Sequence, residues 1–150
     1  MSVLGTILNK LETLLADINT GEGYNTNVQT VLRKDVDWTN RSELSPGLMI
    51  IPSGEAVAAV IDADGVRFEQ RIIIGGFVRN TDPDQLQAEL LNLSADVKKV
   101  IYPDASGTRP SLGTACFDVA YLSEATAFSK EVGKFEMDVV ITYYCAKGTF

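Results

Sequence analysis

Residues 55–79, EAVAAVIDADGVRFEQRIIIGGFVR, place two long apolar stretches on either side of Asp62-Ala63-Asp64-Gly65. Aspartate and glycine at those places favour a tight reversal, so the segment predicts a β-hairpin. Its first arm is introduced by Pro46, runs over Leu48–Ile51, breaks at Pro52-Ser53-Gly54 and resumes over Glu55–Ile61. The returning arm, Val66–Arg79, would span roughly 46 Å at about 3.3 Å per residue. Along it Arg67, Glu69 and Arg71 alternate with Val66, Phe68 and Ile72, which makes one face charged and the other apolar.

Two helices flank the hairpin in sequence. Val3, Leu4, Ile7, Leu8, Leu11, Leu14, Leu15 and Ile18 recur at helical spacing, with Ser2 as N-cap and Gly21 past the end. Thr81-Asp82-Pro83-Asp84-Gln85 starts the second helix, with Asp82 as N-cap, Pro83 in the first turn and Gln85 at capping-box spacing. Its buried stripe is Leu86, Leu90, Leu93, Val97 and Val100, and it stops before Pro103. A helix over 3–18 covers only about 24 Å, so the hairpin outruns its cover and its tip is expected to project.

A short strand over Val28–Arg33 precedes the hairpin. Two more, Ala115–Leu122 and Phe135–Cys145, close the chain, the last with Phe135, Met137, Val139, Ile141, Tyr143 and Cys145 on one face. The order α, β, β, β, α, β, β predicts one α+β domain over residues 1–150. Its mostly antiparallel, mixed sheet carries both helices on one face, in two layers, with a long projecting β-hairpin.

Composition excludes several roles. There is no histidine, and 13 basic residues face 20 acidic ones for a net charge of −7, which argues against retained nucleic acid. No apolar run reaches the roughly 18 residues of a membrane span, and the N-terminus has no basic flank or apolar core of a signal peptide, so a cytoplasm-like compartment is expected. Cys116 and Cys145 sit in apolar strand patterns without metal-ligand spacing and read as buried thiols.

Candidate chemistry is sparse. Asp35/Asp37, Asp62/Asp64 and Glu136/Asp138 each set two carboxylates two residues apart, a spacing that suits general acid–base work or Mg²⁺ if other ligands join them. Asp62, Asp64 and Gly65 resemble part of a calcium loop but lack its closing glutamate. Gly21-Glu22-Gly23 lacks the lysine and hydroxyl of a phosphate loop, and no serine stands in a nucleophile elbow. No catalytic, cofactor or metal residue is expected. Trp38, on the polar connection Lys34–Ser45, either caps the core edge or anchors a partner. Pro103–Gly113, with Arg109 as its basic residue, is expected to be a mobile loop.

The N-terminal helix followed by Gly23-Tyr24-Asn25-Thr26, a strand ending Val31-Leu32-Arg33, and Glu43-Leu44-Ser45-Pro46 before an apolar strand resembles the tail terminator proteins of long-tailed bacteriophages. Lys134-Phe135-Glu136-Met137-Asp138-Val139-Val140-Ile141-Thr142-Tyr143 is similar to that family's closing strand. The resemblance implies a virion protein without enzymatic activity, in the neck region of the tail. It implies a hexameric ring on the tail tube protein that stops tube growth and receives a head-completion or connector protein, with DNA only as passing cargo and no membrane partner. Trp38, Leu44, Phe77, Arg109 and Phe150 are then the expected subunit-contact residues, and Asp62, Asp64, Arg67, Glu69 and Arg71 would bridge subunits or line the channel. Alternatives are another neck, connector or tail tube subunit, or an acid-dependent hydrolase or sugar-binding enzyme using one carboxylate pair.

Overall fold

The computed structural model describes residues 2–38, 41–103 and 112–150. Helix α1 (Val3–Ala16) is followed by strand β1 (Thr30–Leu32) and the hairpin strands β2 (Gly47–Ile61) and β3 (Gly65–Arg79). Helix α2 (Pro83–Ile101) precedes β4 (Cys116–Phe128) and β5 (Val132–Ala146). The sheet order is β1-β2-β3-β5-β4; β1 runs parallel to β2 and every other pairing is antiparallel. The α+β class, the element order and the placement of both helices on one face agree with the sequence reading.

The helices begin where the capping residues say. Ser2 Oγ accepts from Gly5 N at 3.0 Å, and Asp82 Oδ1 accepts from Asp84 N at 3.0 Å. Gln85 does not close a capping box. Asp82 N donates instead to Asn80 Oδ1 at 2.9 Å, and Gln85 Oε1 accepts from Asn80 Nδ2 at 3.3 Å. α1 ends two residues short of Ile18, because Ile18 N bonds the Leu15 carbonyl in a tighter turn, yet the Ile18 side chain stays fully buried.

The main core lies between the helices and one sheet face. Leu8, Leu11 and Leu15 of α1 and Leu90, Leu93 and Val97 of α2 meet Leu48, Ile50, Ile72, Ile74, Met137, Val139 and Ile141. Each such aliphatic side chain contributes about 1.5–3 kcal/mol by leaving water. β4 does not keep the alternation that its sequence suggests, Phe117, Val119 and Tyr121 against Cys116, Asp118 and Ala120. Register shifts at 117 and 122 turn Cys116, Val119 and Tyr121 together toward the helices.

A smaller cluster covers part of the opposite face. There Trp38 stacks on Phe77, ring centroids 5.0 Å apart and 10° from parallel, with Met49 and Val132 beside them and Leu32, Val36, Leu44 and Ile51 packed against them. The connection after β1 therefore folds under the sheet as a partial third layer, a correction to the expectation of a sheet covered on one side only.

The turn Gly23-Tyr24-Asn25 is pinned to α2. Asp96, 1% exposed, accepts from Asn25 N at 3.0 Å and from Asn25 Nδ2 at 3.2 Å. Lys99 donates to the Gly23 carbonyl at 2.8 Å, and its Nζ stands 4.9 Å from the centre of the Tyr24 ring. Burial, reinforced by the Asp96 charge, raises the Tyr24 hydroxyl above its ordinary pKa.

Candidate assembly surface

The hairpin turn is built by one carboxylate. Asp62 Oδ1 accepts from Asp64 N at 2.9 Å and Gly65 N at 2.7 Å, while Asp62 N donates to the Gly65 carbonyl at 3.0 Å. That geometry ties Asp62 to its own turn and fits the hairpin reading of this segment. From the turn β3 pairs with β5 without interruption, Gly65 opposite Ala146 through Arg79 opposite Val132. The hairpin is thus as long as expected, and its inner arm is braced to the tip by the C-terminal strand. Val3 N donates to the Phe150 carbonyl at 3.1 Å, which brings the start of α1 to the same end.

The outer arm has no such brace. β1 pairs only with Gly47–Met49, so among the described residues no strand flanks β2 from Ile50 to Ile61. Pro52 is tolerated there because an edge position asks for no outward amide. Between Ser53 and Val57 the register slips: three residues of β2, 54–56, stand against the single residue Gln70 of β3. Gln70 is 4% exposed, and its Nε2 donates to the Ser53 carbonyl at 3.2 Å, to the Arg71 carbonyl at 3.0 Å and, longer, to the Gly54 carbonyl at 3.4 Å. Gly54 takes φ +71°, a left-handed conformation that glycine adopts without strain. Beyond the bulge Val57 is 60% and Ile61 70% exposed. β4 forms the other edge, with Leu122 and Phe128 about half exposed.

The expected contact residues divide. Arg67, Glu69 and Arg71 lie together on the face away from the helices, Glu69 and Arg71 exposed and Arg67 half-buried. Arg71 Nη2 meets Asp138 Oδ2 at 3.2 Å, but with so exposed an arginine the pair is worth only about 0–1 kcal/mol. Phe150 is exposed and edge-on to Phe68, centroids 6.1 Å apart. Trp38 and Phe77 are buried by their own chain and Leu44 half-buried against them, so the fold spends these side chains on internal packing. Phe77 points away from the helices, as parity requires, but at that end the face is roofed by the Trp38 segment. Arg109 lies outside the described residues. The exposed aliphatic side chains of β2 and β4 were missed by residue-type reasoning. The near absence of charge from β2 was the available signal.

The carboxylate pairs do not gather into a reactive centre. Asp138 is paired with Arg71 and Asp62 is committed to the turn. Asp35 and Glu136, from different pairs, do line one cavity with Lys134 and Trp38, but its volume of about 90 Å³ is well below the roughly 300 Å³ of a small ligand cleft. Among the described residues no three cysteine or acidic side chains are placed to hold a metal ion. Burial raises the Cys145 thiol above its ordinary pKa, away from the reactive thiolate. No helix among the described residues is long and apolar enough to cross a membrane.

No family model matches the chain, and no curated protein matches it. Among solved structures, a chain described as "Virion of native gene transfer agent (GTA) particle" is similar over 93% of this chain and 92% of its own, with a TM-score of 0.49 and 9% sequence identity.

Proposed function

We propose that this protein is a structural subunit of a phage-like virion, a tail terminator whose copies form a closed ring at the head-proximal end of the tail tube. The observation that carries the reading is the pair of sheet edges left without a neighbouring strand among the described residues, which also gather no reactive centre. One edge is the stripped outer arm of β2 with Val57 and Ile61 in solvent; the other is β4. A monomer meant to stay single protects such edges, whereas a contact between unlike patches that closes on itself makes a ring. The sequence resemblance sets the expected stoichiometry at six and the partners as the tube protein on one side and a head-completion protein on the other.

The charge of the exposed sheet face suits a conduit. On its far half Arg67 and Arg71 alternate with Glu69, Asp118 and Asp138, a mixed rather than basic surface that would let duplex DNA pass without holding it. Mass measurement under native conditions and electron microscopy of the purified chain and of tails test the reading. Discrete rings of sixfold mass are expected; filaments would indicate a tube subunit, and a monomer that makes no ring on tails would end the proposal.

A further inference from the structure

The edge that joins neighbouring copies can be identified from strand direction, level and charge. We infer that the ring closes by strand addition: β4 of one copy, over 116–123, pairs antiparallel with the outer arm of β2, over 51–61, in the next. The inference rests on the ring reading and names its contact.

Direction comes first. Along the series β2-β3-β5-β4 each strand is antiparallel to the last, so β4 runs opposite to β2. Rotation about a ring axis preserves a strand's sense along that axis. The β4 edge of one copy therefore meets the β2 edge of the next in the antiparallel sense, and the alternation continues unbroken across the contact. Two β2 edges, or two β4 edges, would meet only through a twofold axis, which stops at a dimer.

Level comes second. Following the pairings across the sheet, Val57 is level with Glu69, Thr142 and Asp118; Ser53 is level with Arg71, Val140 and Ala120. The stretch of β2 that lacks a neighbour thus stands at the same height as the first half of β4, and β1 occupies only the heights below it.

Charge comes third. In a chain that is 22% charged, the fifteen-residue strand β2 carries a single ionisable residue, Glu55. On β4, Glu124 is turned inward, accepting from Ser94 Oγ at 2.7 Å and Lys98 Nζ at 2.6 Å, which leaves Asp118 as the other acidic residue of a strand with no Lys or Arg. Lysine, a common protection of natural edges, is missing from β2, which carries only Pro52 and its bulges as edge devices over the length where it is open. A second copy supplies what each edge lacks, a row of backbone donors and acceptors.

Amide hydrogen exchange on the intact chain, monomeric and assembled, tests the pairing, together with Val57→Lys and Leu122→Lys. Both side chains are exposed in the monomer, and each lysine lowers the net negative charge, so loss of assembly cannot be assigned to misfolding or to overall repulsion. Expected are at least a tenfold slowing of exchange within 51–61 and 116–123 on assembly, and at least a tenfold rise in the concentration at which either variant forms rings. Leu91→Lys, on the exposed side of α2, should assemble normally. Rings whose two edges exchange as fast as in the monomer, rings formed equally well by both edge variants, or equal loss in Leu91→Lys would overturn the pairing and leave the ring subunit standing. A chain that is monomeric in solution and on tails would overturn both.

Discussion

At the Gly47–Val132 end the sheet is covered on both faces, by the helices on one side and by Trp38, Val36 and Leu44 on the other. At the Gly65–Ala146 end the helix side still holds Phe68 stacked on Tyr143, centroids 5.5 Å apart, but the opposite face carries a half-buried Arg67 and presents Glu69 and Arg71 to solvent. One strand, β3, records both environments. Where it is covered twice it reads Ile72-Ile73-Ile74-Gly75-Gly76-Phe77-Val78, a continuous apolar run; where it is covered once it alternates. Stability is concentrated at the first end and surface available for contact at the second.

The largest effect that would break this contrast is at Phe77. Phe77→Ala should destabilise the monomer by about 3–5 kcal/mol in denaturant unfolding, while Arg71→Ala, six residues along the same face, should cost about 0–1 kcal/mol. Comparable losses would mean that the two ends are equally loaded. Gly76→Ala comes next. A Cβ there would collide with the Phe135 ring, so the overpacked core should lose about 1–3 kcal/mol, read as a lower melting temperature with the proposed ring formation retained.

Gln70→Leu removes the donor that satisfies the bulge carbonyls. A cost of about 1–3 kcal/mol is expected, with faster amide exchange confined to 53–57. Exchange that quickens across the whole of β3 instead would show that the bulge supports the spine of the sheet rather than only its rim. A smaller effect follows from pH. Burial first of all raises the pKa of Cys145, Tyr143 and Tyr24, so the folded chain holds these protons more tightly than the unfolded one. The stability so contributed is complete below the unfolded pKa values and is lost as pH rises through roughly 8.5–10 and beyond. Urea midpoints should fall over that range, less steeply in Cys145→Val. The smallest effect is at Val57→Ala, expected within about 0.5 kcal/mol of the parent monomer.

Helix positions, the order of elements along the chain and the hairpin were legible because each rests on a local rule: a capping side chain, a turn carboxylate or a period of 3.6 or 2. What escaped the sequence was non-local. Parity assigns Phe77 to the face away from the helices correctly, but only the placement of Val36, Trp38 and Leu44 reveals that this face is roofed there. The shift at 117 reverses the phase of β4, since one inserted residue exchanges the two faces. Trp38 had two open readings, and its burial against Phe77 shows that it caps the core edge of its own subunit. The carboxylate pairs were visible as spacings; their fates, a turn, an ion pair and a small cavity, depend on neighbours from distant segments.

The bulges have a mechanical meaning. β3 and β5 pair over fifteen residues without a slip, whereas β2 and β4 are each interrupted twice. Each slip gives the outer strand more backbone than the inner strand it follows, so both rims of the sheet are longer than its spine. A ribbon with long rims cannot lie flat; it buckles into a saddle, and each bulge adds right-handed twist where it sits. In the proposed ring, the contour lengths of the edge strands would set the arc that one subunit subtends. Deleting two residues from the 54–56 insertion, which keeps 57–61 in phase, would shorten a rim, flatten the saddle and, in the proposed ring, change how many copies complete a circle.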